Sequence, residues 1–224
     1  MFIYKAQNLS GGHHGFFGRD GYEGFENRVR CHQVHGSAVV YVGEEWNDLC
    51  MPKADGLVTD QSDIPLAIIT ADCAPVLLAD KINGVIGAAH AGWRGAFEGV
   101  VENTIRMMIE KGAEAKYIDV AIGPCIAQPS YEVDQVFYDQ FVGANTKTAQ
   151  FFIPSKQAGH HMFDLAGYIS WRIYLVFSDI GSVSLSPHDT YSEDPNFYSH
   201  RRATHQGRAK TETGRQFSIV TLNG

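Results

Sequence analysis

The feature that most constrains the fold is a series of short apolar runs, each cut off by a turn residue before it could fill a helix. Val39-Val40-Tyr41-Val42 is β-branched and aromatic, which suits a strand. Leu57-Val58-Thr59 follows the turn signal Asp55-Gly56. Pro65-Leu66-Ala67-Ile68-Ile69-Thr70 and Pro75-Val76-Leu77-Leu78-Ala79 are apolar throughout, as strands covered on both faces are. Val85-Ile86-Gly87-Ala88-Ala89 comes after Asn83-Gly84, a pair that suits a tight hairpin. Residues 118–122, ending at Gly123-Pro124, and residues 217–222 complete the set.

Three stretches carry helical spacing instead. Phe97, Val100, Val101, Ile105, Met108 and Ile109 recur at three- and four-residue steps, with Gly112 as the stop. Val133, Val136, Phe137 and Phe141 predict a second amphipathic helix. Leu165, Ile169, Ile173, Val176 and Phe177 predict a third, capped by Asp164. Ser10 to Gly15 and the pair His160-His161 are expected to be loop. Strands and helices mix without strict alternation. That predicts an α+β or mixed α/β sandwich rather than a doubly wound parallel fold, as one domain over residues 1–224.

Composition narrows the function classes. With 44% hydrophobic and 19% charged residues the chain is globular, and a core burying roughly 70% of the unfolded surface is within reach at this length. A net charge of −7 makes it a poor general binder of nucleic-acid phosphates. No apolar run is long enough for a membrane span, and Met1 to Ser10 lacks the apolar core of an export signal. The expected compartment is the cytoplasm, where Cys31, Cys50, Cys73 and Cys125 stay reduced.

Chemistry concentrates where polar residues interrupt the apolar runs. Cys31-His32-Gln33-Val34-His35-Gly36 leads into the first strand pattern. Thr70-Ala71-Asp72-Cys73-Ala74-Pro75 links two others. His90-Ala91-Gly92-Trp93-Arg94-Gly95 joins a strand to the best helix. His35, Cys73 and His90 offer two imidazoles and a thiolate, a three-ligand set for zinc with a fourth position for water; two hydrogen-bonded histidines and a buried thiol are the alternative. Arg94, between Gly92 and Gly95, could serve an anion, or pair with a surface acid. Cys125 is expected to line a pocket, since no base stands beside it. Asp72 could orient a ligand imidazole or cap its turn. The basic stretch His200-Arg201-Arg202-Ala203-Thr204-His205, with Arg215 beyond it, reads either as an anion site using Arg202 and His205 or as a solvated loop.

Taken together these segments resemble the YfiH-type, or laccase-domain, family, also called multicopper polyphenol oxidoreductases. The matching stretches are His14-Gly15-Phe16-Phe17 with Arg19, Gln33-Val34-His35-Gly36, Ala54-Asp55-Gly56, the Thr70–Pro75 and His90–Gly95 segments, Gly123-Pro124-Cys125-Ile126, Phe163-Asp164-Leu165, and Arg201-Arg202-Ala203-Thr204-His205 with Gly214-Arg215-Gln216. They run in order along essentially the whole chain. One departure is the short stretch from Gly21 to Gln33, which lacks the family's longer segment with its Ser-Leu-Asn motif; Glu26-Asn27-Arg28 resembles the end of that segment. Either the chain is naturally short there or residues have been omitted from the sequence.

The resemblance implies a layered α/β/β/α sandwich with zinc on His35, Cys73 and His90. It implies phosphorolysis of adenosine, guanosine, inosine and methylthioadenosine to base and sugar 1-phosphate, and deamination of adenosine. The catalytic group would be His35, Cys73 and His90. Arg94, Cys125, Asp72, Arg202 and His205 are the candidate substrate contacts. Alternative readings are a copper-dependent phenol oxidase, an editing role on peptidoglycan precursors, and a non-catalytic protein with structural zinc. Expected partners are a nucleoside and phosphate, with no nucleic acid and no membrane, for a monomer or weak dimer.

Overall fold

A computed structural model describes residues 3–9, 13–21, 27–212 and 214–222. Ser10 to Gly12 of the expected N-terminal loop and Glu26 of the short stretch lie outside them. In chain order the strands and helices are β1 (Ile3–Tyr4), β2 (His13–Phe17), β3 (Val39–Tyr41), β4 (Gly56–Thr59), β5 (Leu66–Thr70), β6 (Ala74–Asp80), β7 (Val85–Ala91), α1 (Trp93–Glu98), α2 (Val100–Glu110), β8 (Ile118–Ile122), β9 (Glu132–Asp134), α3 (Gln135–Ala144), β10 (Phe152–Pro154), β11 (His160–Phe163), α4 (Leu165–Val176), β12 (Ser182–Leu185), α5 (His200–His205) and β13 (Gln216–Thr221). No helix among the described residues is long and apolar enough to cross a membrane.

The apolar runs build two stacked sheets. A six-stranded mixed sheet has the order β12-β8-β6-β7-β4-β3, and a four-stranded antiparallel sheet has the order β1-β2-β13-β5. Alternation along each strand decides what faces what. Leu57, Leu77, Ile86, Ala88 and Ala121 of the large sheet face Phe16, Leu66, Ile68 and Val220 of the small one. Val58, Val76, Leu78, Ala89 and Val120 turn the other way and meet Val101, Ile105 and Met108 of α2 and Ile169 and Ile173 of α4. Strands β6 and β7 are thus buried on both faces along their whole length, which is why their sequences show no alternation. The mixed α/β sandwich expected from the pattern is the fold observed. A third sheet, β10-β11-β9, packs with α3 around Phe137, Phe141, Phe152 and Phe163.

Four local expectations need correction. The helix read over residues 97–109 is two helices broken at Gly99, whose φ of 92° is left-handed. A long-range clasp surrounds that break, because Arg172 of α4 donates to the Phe97 carbonyl and pairs with the buried Glu102 carboxylate at 2.5 Å. Val133 lies in β9 rather than in α3, and Val136 is exposed, so α3 buries only its Phe137 and Phe141 side. His13 to Gly15 belong to β2, whose partner β13 arrives from the other end of the chain. His160 and His161 lie in β11. They do not chelate together: His161 stacks on Tyr138 and bonds Gln135, and His160 contacts Gln157.

The crossing from β5 to β6 matters most for the site. Thr70 ends a strand of the small sheet and Ala74 starts one of the large sheet. Three residues make the crossing, and Asp72 takes a φ of 87° to do it. Cys73 is therefore fixed at the seam between the two sheets.

A candidate metal centre in a cleft

His35, Cys73 and His90 come together at that seam. Their ligand atoms all lie within 4.8 Å of one another. The two imidazole rings meet edge to face, 4.7 Å between centroids. His90 lies in β7 with its ring buried, Cys73 is half-buried, and His35 is exposed. Gly92 makes the room: a Cβ there would stand 2.9 Å from Cys73 Sγ and 3.3 Å from His35 Cδ2.

Asp55 organises the group, and the sequence showed it as half of a turn signal and within the Ala54-Asp55-Gly56 stretch, with no role attached. Its carboxylate is fully buried. Oδ1 accepts the backbone N–H of His35 at 2.9 Å and bonds His90 Nδ1 at 2.7 Å. Oδ2 accepts the N–H groups of Gly36 at 2.8 Å and Val34 at 3.2 Å. One carboxylate thus holds the turn that carries His35 and the ring of His90. It helps keep His35 in its left-handed φ of 61°, a conformation that costs a non-glycine residue about 1–3 kcal/mol. A carboxylate only accepts, so Nδ1 carries the hydrogen and Nε2 is the nitrogen left to bind. Gln33 pins the start of the same segment, its amide exchanging two hydrogen bonds with the backbone of Ile69.

The charges follow from this arrangement. Burial alone would raise the Cys73 pKa, but hydrogen bonds from His35 and His90 outweigh it and bring the thiol to about 6. Burial alone would lower that of His90, but Asp55 and Cys73 raise it to about 9. Burial would also raise the Asp55 carboxyl, yet its bonds to His90, Gly36 and His35 hold it below the usual range. Among the described residues Cys31 and Cys125 have no such donors, and burial pushes both thiols up, Cys31 to about 12.

The three donors line a cleft of about 520 Å³. Trp93, Ile126, Tyr131 and Leu165 form its apolar side. Thr70, Asp72, His200, Arg201 and Arg215 supply polar groups. Thr70 Oγ1 is buried without a hydrogen-bond partner among the described residues. Burial also raises the pKa of the Tyr131 phenol, which keeps it protonated.

Of the expected substrate contacts, Asp72 alone lines the cleft. Its carboxylate accepts from Thr190 and Arg201, whereas the imidazole-orienting part falls to Asp55. Arg94 is exposed outside the lining, with its guanidinium 5.5 Å from the Trp93 ring, because the first turn of α1 points it away. Cys125 is buried packing. Arg202 is buried too, its guanidinium donating to the carbonyls of Thr190, Tyr191 and Phe197. His205 is exposed and bonds the Tyr191 hydroxyl. From this basic stretch it is His200 and Arg201, rather than Arg202 and His205, that line the cleft.

Two neutral-capable imidazoles and a thiol of lowered pKa are donors that suit zinc or copper. Among the described residues the group has three members. All three border the cleft. That is the donor number of a site that leaves a position for a small molecule.

Comparison with known proteins gives the family and the fold. Residues 21–223 match the family described as multi-copper polyphenol oxidoreductase laccase. The chain is similar to a protein of Rickettsia conorii named purine nucleoside phosphorylase, 39% identical over 173 residues, which are 77% of this chain and 70% of that one. A Deinococcus radiodurans protein of the same name is 36% identical over 196 residues, 87% of this chain and 70% of its own. Among solved structures, a Neisseria meningitidis protein superimposes with a TM-score of 0.75 at 32% identity, covering 88% of this chain and 75% of that one. YlmD from Geobacillus stearothermophilus shares the fold, with a TM-score of 0.80 at 24% identity over 98% of this chain and 94% of its own.

Proposed function

The chain belongs to the multi-copper polyphenol oxidoreductase laccase family, and from that premise we propose that it is a metal-dependent purine nucleoside phosphorylase. Its substrates are adenosine, inosine, guanosine and methylthioadenosine, with deamination of adenosine as a second reaction in the same cleft. The observation that carries the reading is one cleft bordered by a His₂Cys donor group, an aromatic wall and a cationic wall. The names of its relatives support the phosphorylase activity.

His35, Cys73 and His90 would hold zinc. Bound there, the ion supplies Lewis acidity toward a substrate oxygen or a water. The rest falls to the protein. Asp55 keeps the hydrogen of His90 on Nδ1 and the turn of His35 in place. Trp93 and Tyr131 offer aromatic faces for the purine, and Tyr131 also brings a protonated hydroxyl to that wall. Arg201 and Arg215 balance the charge of phosphate. In phosphorolysis a phosphate oxygen bonds the ribose anomeric carbon as the bond from that carbon to the purine nitrogen breaks. The electron pair leaves with the base, and the proton the base takes up is the one phosphate gives up.

The copper-oxidase alternative rests on the family description and on the blue-copper character of a His₂Cys set. A multicopper site needs further ligand groups, and the described residues contain this one.

The test is adenosine with inorganic phosphate and zinc-loaded protein, with adenine and inosine followed by chromatography. Adenine and ribose 1-phosphate are expected, and Cys73→Ser should abolish both. Zinc-loaded wild type that forms neither adenine nor inosine refutes the proposal.

A further inference from the structure

Asp72 sits one residue before Cys73, at the three-residue crossing between the sheets, with its carboxylate turned toward the C-terminal part of the chain. Oδ1 accepts the Thr190 hydroxyl at 2.8 Å and Oδ2 accepts the Arg201 backbone N–H at 2.7 Å. Thr190 is fully buried, and its own N–H donates to the Cys125 carbonyl at 3.0 Å. Arg202 binds the carbonyls of Thr190, Tyr191 and Phe197, which ties the segment from 190 to 202 into one piece. That piece carries His200 and Arg201 into the cleft. Arg201 is steadied further by the Glu132 carbonyl at 2.8 Å and by the Tyr131 ring, 5.3 Å away.

We infer that Asp72, acting through Thr190, is a positioning residue that sets the polar wall of the His200 imidazole and the Arg201 guanidinium at a fixed reach from Cys73, and that this reach defines the phosphate site. The inference rests on the reading of phosphate as co-substrate. A carboxylate suits the task because it accepts two donors from different parts of the chain at once. Asp is also among the residues that tolerate a left-handed φ at the crossing. A Val at position 190 would leave Oδ1 buried without its partner and free the wall to shift, whereas Ser would keep the hydroxyl.

The experiment uses the full chain loaded with zinc. Inorganic phosphate is titrated by calorimetry into wild type, Thr190→Val and Thr190→Ser, with zinc content measured in each. Thr190→Val should bind phosphate about tenfold more weakly, the equivalent of one lost hydrogen bond to a charged acceptor, with zinc content unchanged. Thr190→Ser should stay close to wild type. The inference is overturned if Thr190→Val binds phosphate as wild type does, if it loses zinc in step with phosphate, if Ser fails to rescue, or if wild type binds no phosphate. Should Thr190→Val not fold, Asp72→Asn takes its place. It keeps the shape and tolerates the left-handed φ, and wild-type phosphate affinity there overturns the inference equally. Turnover of adenosine by wild type is scored separately. Its absence beside intact phosphate binding refutes the enzymatic reading, and the phosphate affinities still decide the role of Asp72.

Discussion

Replacing Asp55 by Asn tests the organisation of the centre most directly. The side chain keeps its size, but one oxygen becomes an NH₂ donor. Each carboxylate oxygen now accepts two hydrogen bonds, Oδ1 from His35 and His90 and Oδ2 from Val34 and Gly36. If the NH₂ replaces Oδ2, it faces two backbone N–H groups and the turn carrying His35 loses its hold. If it replaces Oδ1, it faces the His35 N–H and forces the His90 hydrogen onto Nε2, the nitrogen needed for a metal. With NH₂ in place of Oδ2 two charge-assisted bonds are lost; in place of Oδ1 one is lost and the other is replaced by a neutral one, so the cost is about 2–5 kcal/mol of stability, the upper end belonging to the first case. For a chain of this size that is a fall of roughly 4–20 °C in Tm. Zinc affinity should drop about 10–100-fold, as is usual when the partner of a ligand imidazole is removed. The pH dependence carries a sign as well. The Asp55 carboxyl is depressed in the fold, so its stabilisation is complete above its ordinary value of 3.8 and is lost as pH falls through the depressed value. Asn lacks that acid limb. Thermal unfolding of the metal-free variant and zinc competition against a chromogenic chelator measure both effects. Wild-type Tm together with wild-type affinity would refute the assignment.

Three further outcomes follow from the same geometry. Gly92→Ala should lower zinc affinity about tenfold or more, because the new Cβ meets Cys73 Sγ and His35 Cδ2; the φ of −70° suits any residue, so the effect comes from that crowding, and undiminished chelator competition would count against it. In metal-free Cys50→Ser protein, alkylation of Cys73 should rise with pH around a midpoint near 6, while buried Cys31 and Cys125 stay silent; a midpoint of an ordinary thiol, about 8.5, contradicts the assigned charges. Arg202→Ala should cost about 3–5 kcal/mol of stability, because its guanidinium joins three carbonyls in the interior; an unchanged melting curve would refute that structural role.

What could be read from the sequence follows from how local each determinant is. Strands β6 and β7 could be read because burial on both faces demands unbroken apolar residues and the intervening turn names itself as Asn83-Gly84. The break at Gly99 could not, since Arg172 and Glu102 come to it from elsewhere in the fold. Strand β2 was hidden by its histidines and glycine, and its pairing with β1 and with β13, far along the chain, makes it a strand. At the site, His35, Cys73 and His90 were chosen by donor chemistry and by resemblance, and they converge. The parts of Asp55 and Asp72 were invisible because each carboxylate acts on partners far along the chain. Position beside a motif misled at Arg94, where proximity in sequence to His90 is undone by the direction of the first helical turn.

The two left-handed non-glycine residues among those described, His35 and Asp72, both lie at the donor group. Each is held by protein bonds alone: His35 by the Asp55 carboxylate, Asp72 by its own bonds to Thr190 and Arg201. Neither restraint needs an ion, and the strands behind them are buried by the two apolar clusters. The centre should therefore be built before a metal arrives, unlike small domains in which metal binding and folding are one event. Chelator-treated protein should keep its circular dichroism and a single cooperative melting transition. Adding zinc should then raise stability only by mass action, about 2.7 kcal/mol at a hundredfold excess over Kd. Loss of the cooperative transition on chelation would mean that the ion, rather than Asp55 and Asp72, supplies the order seen here.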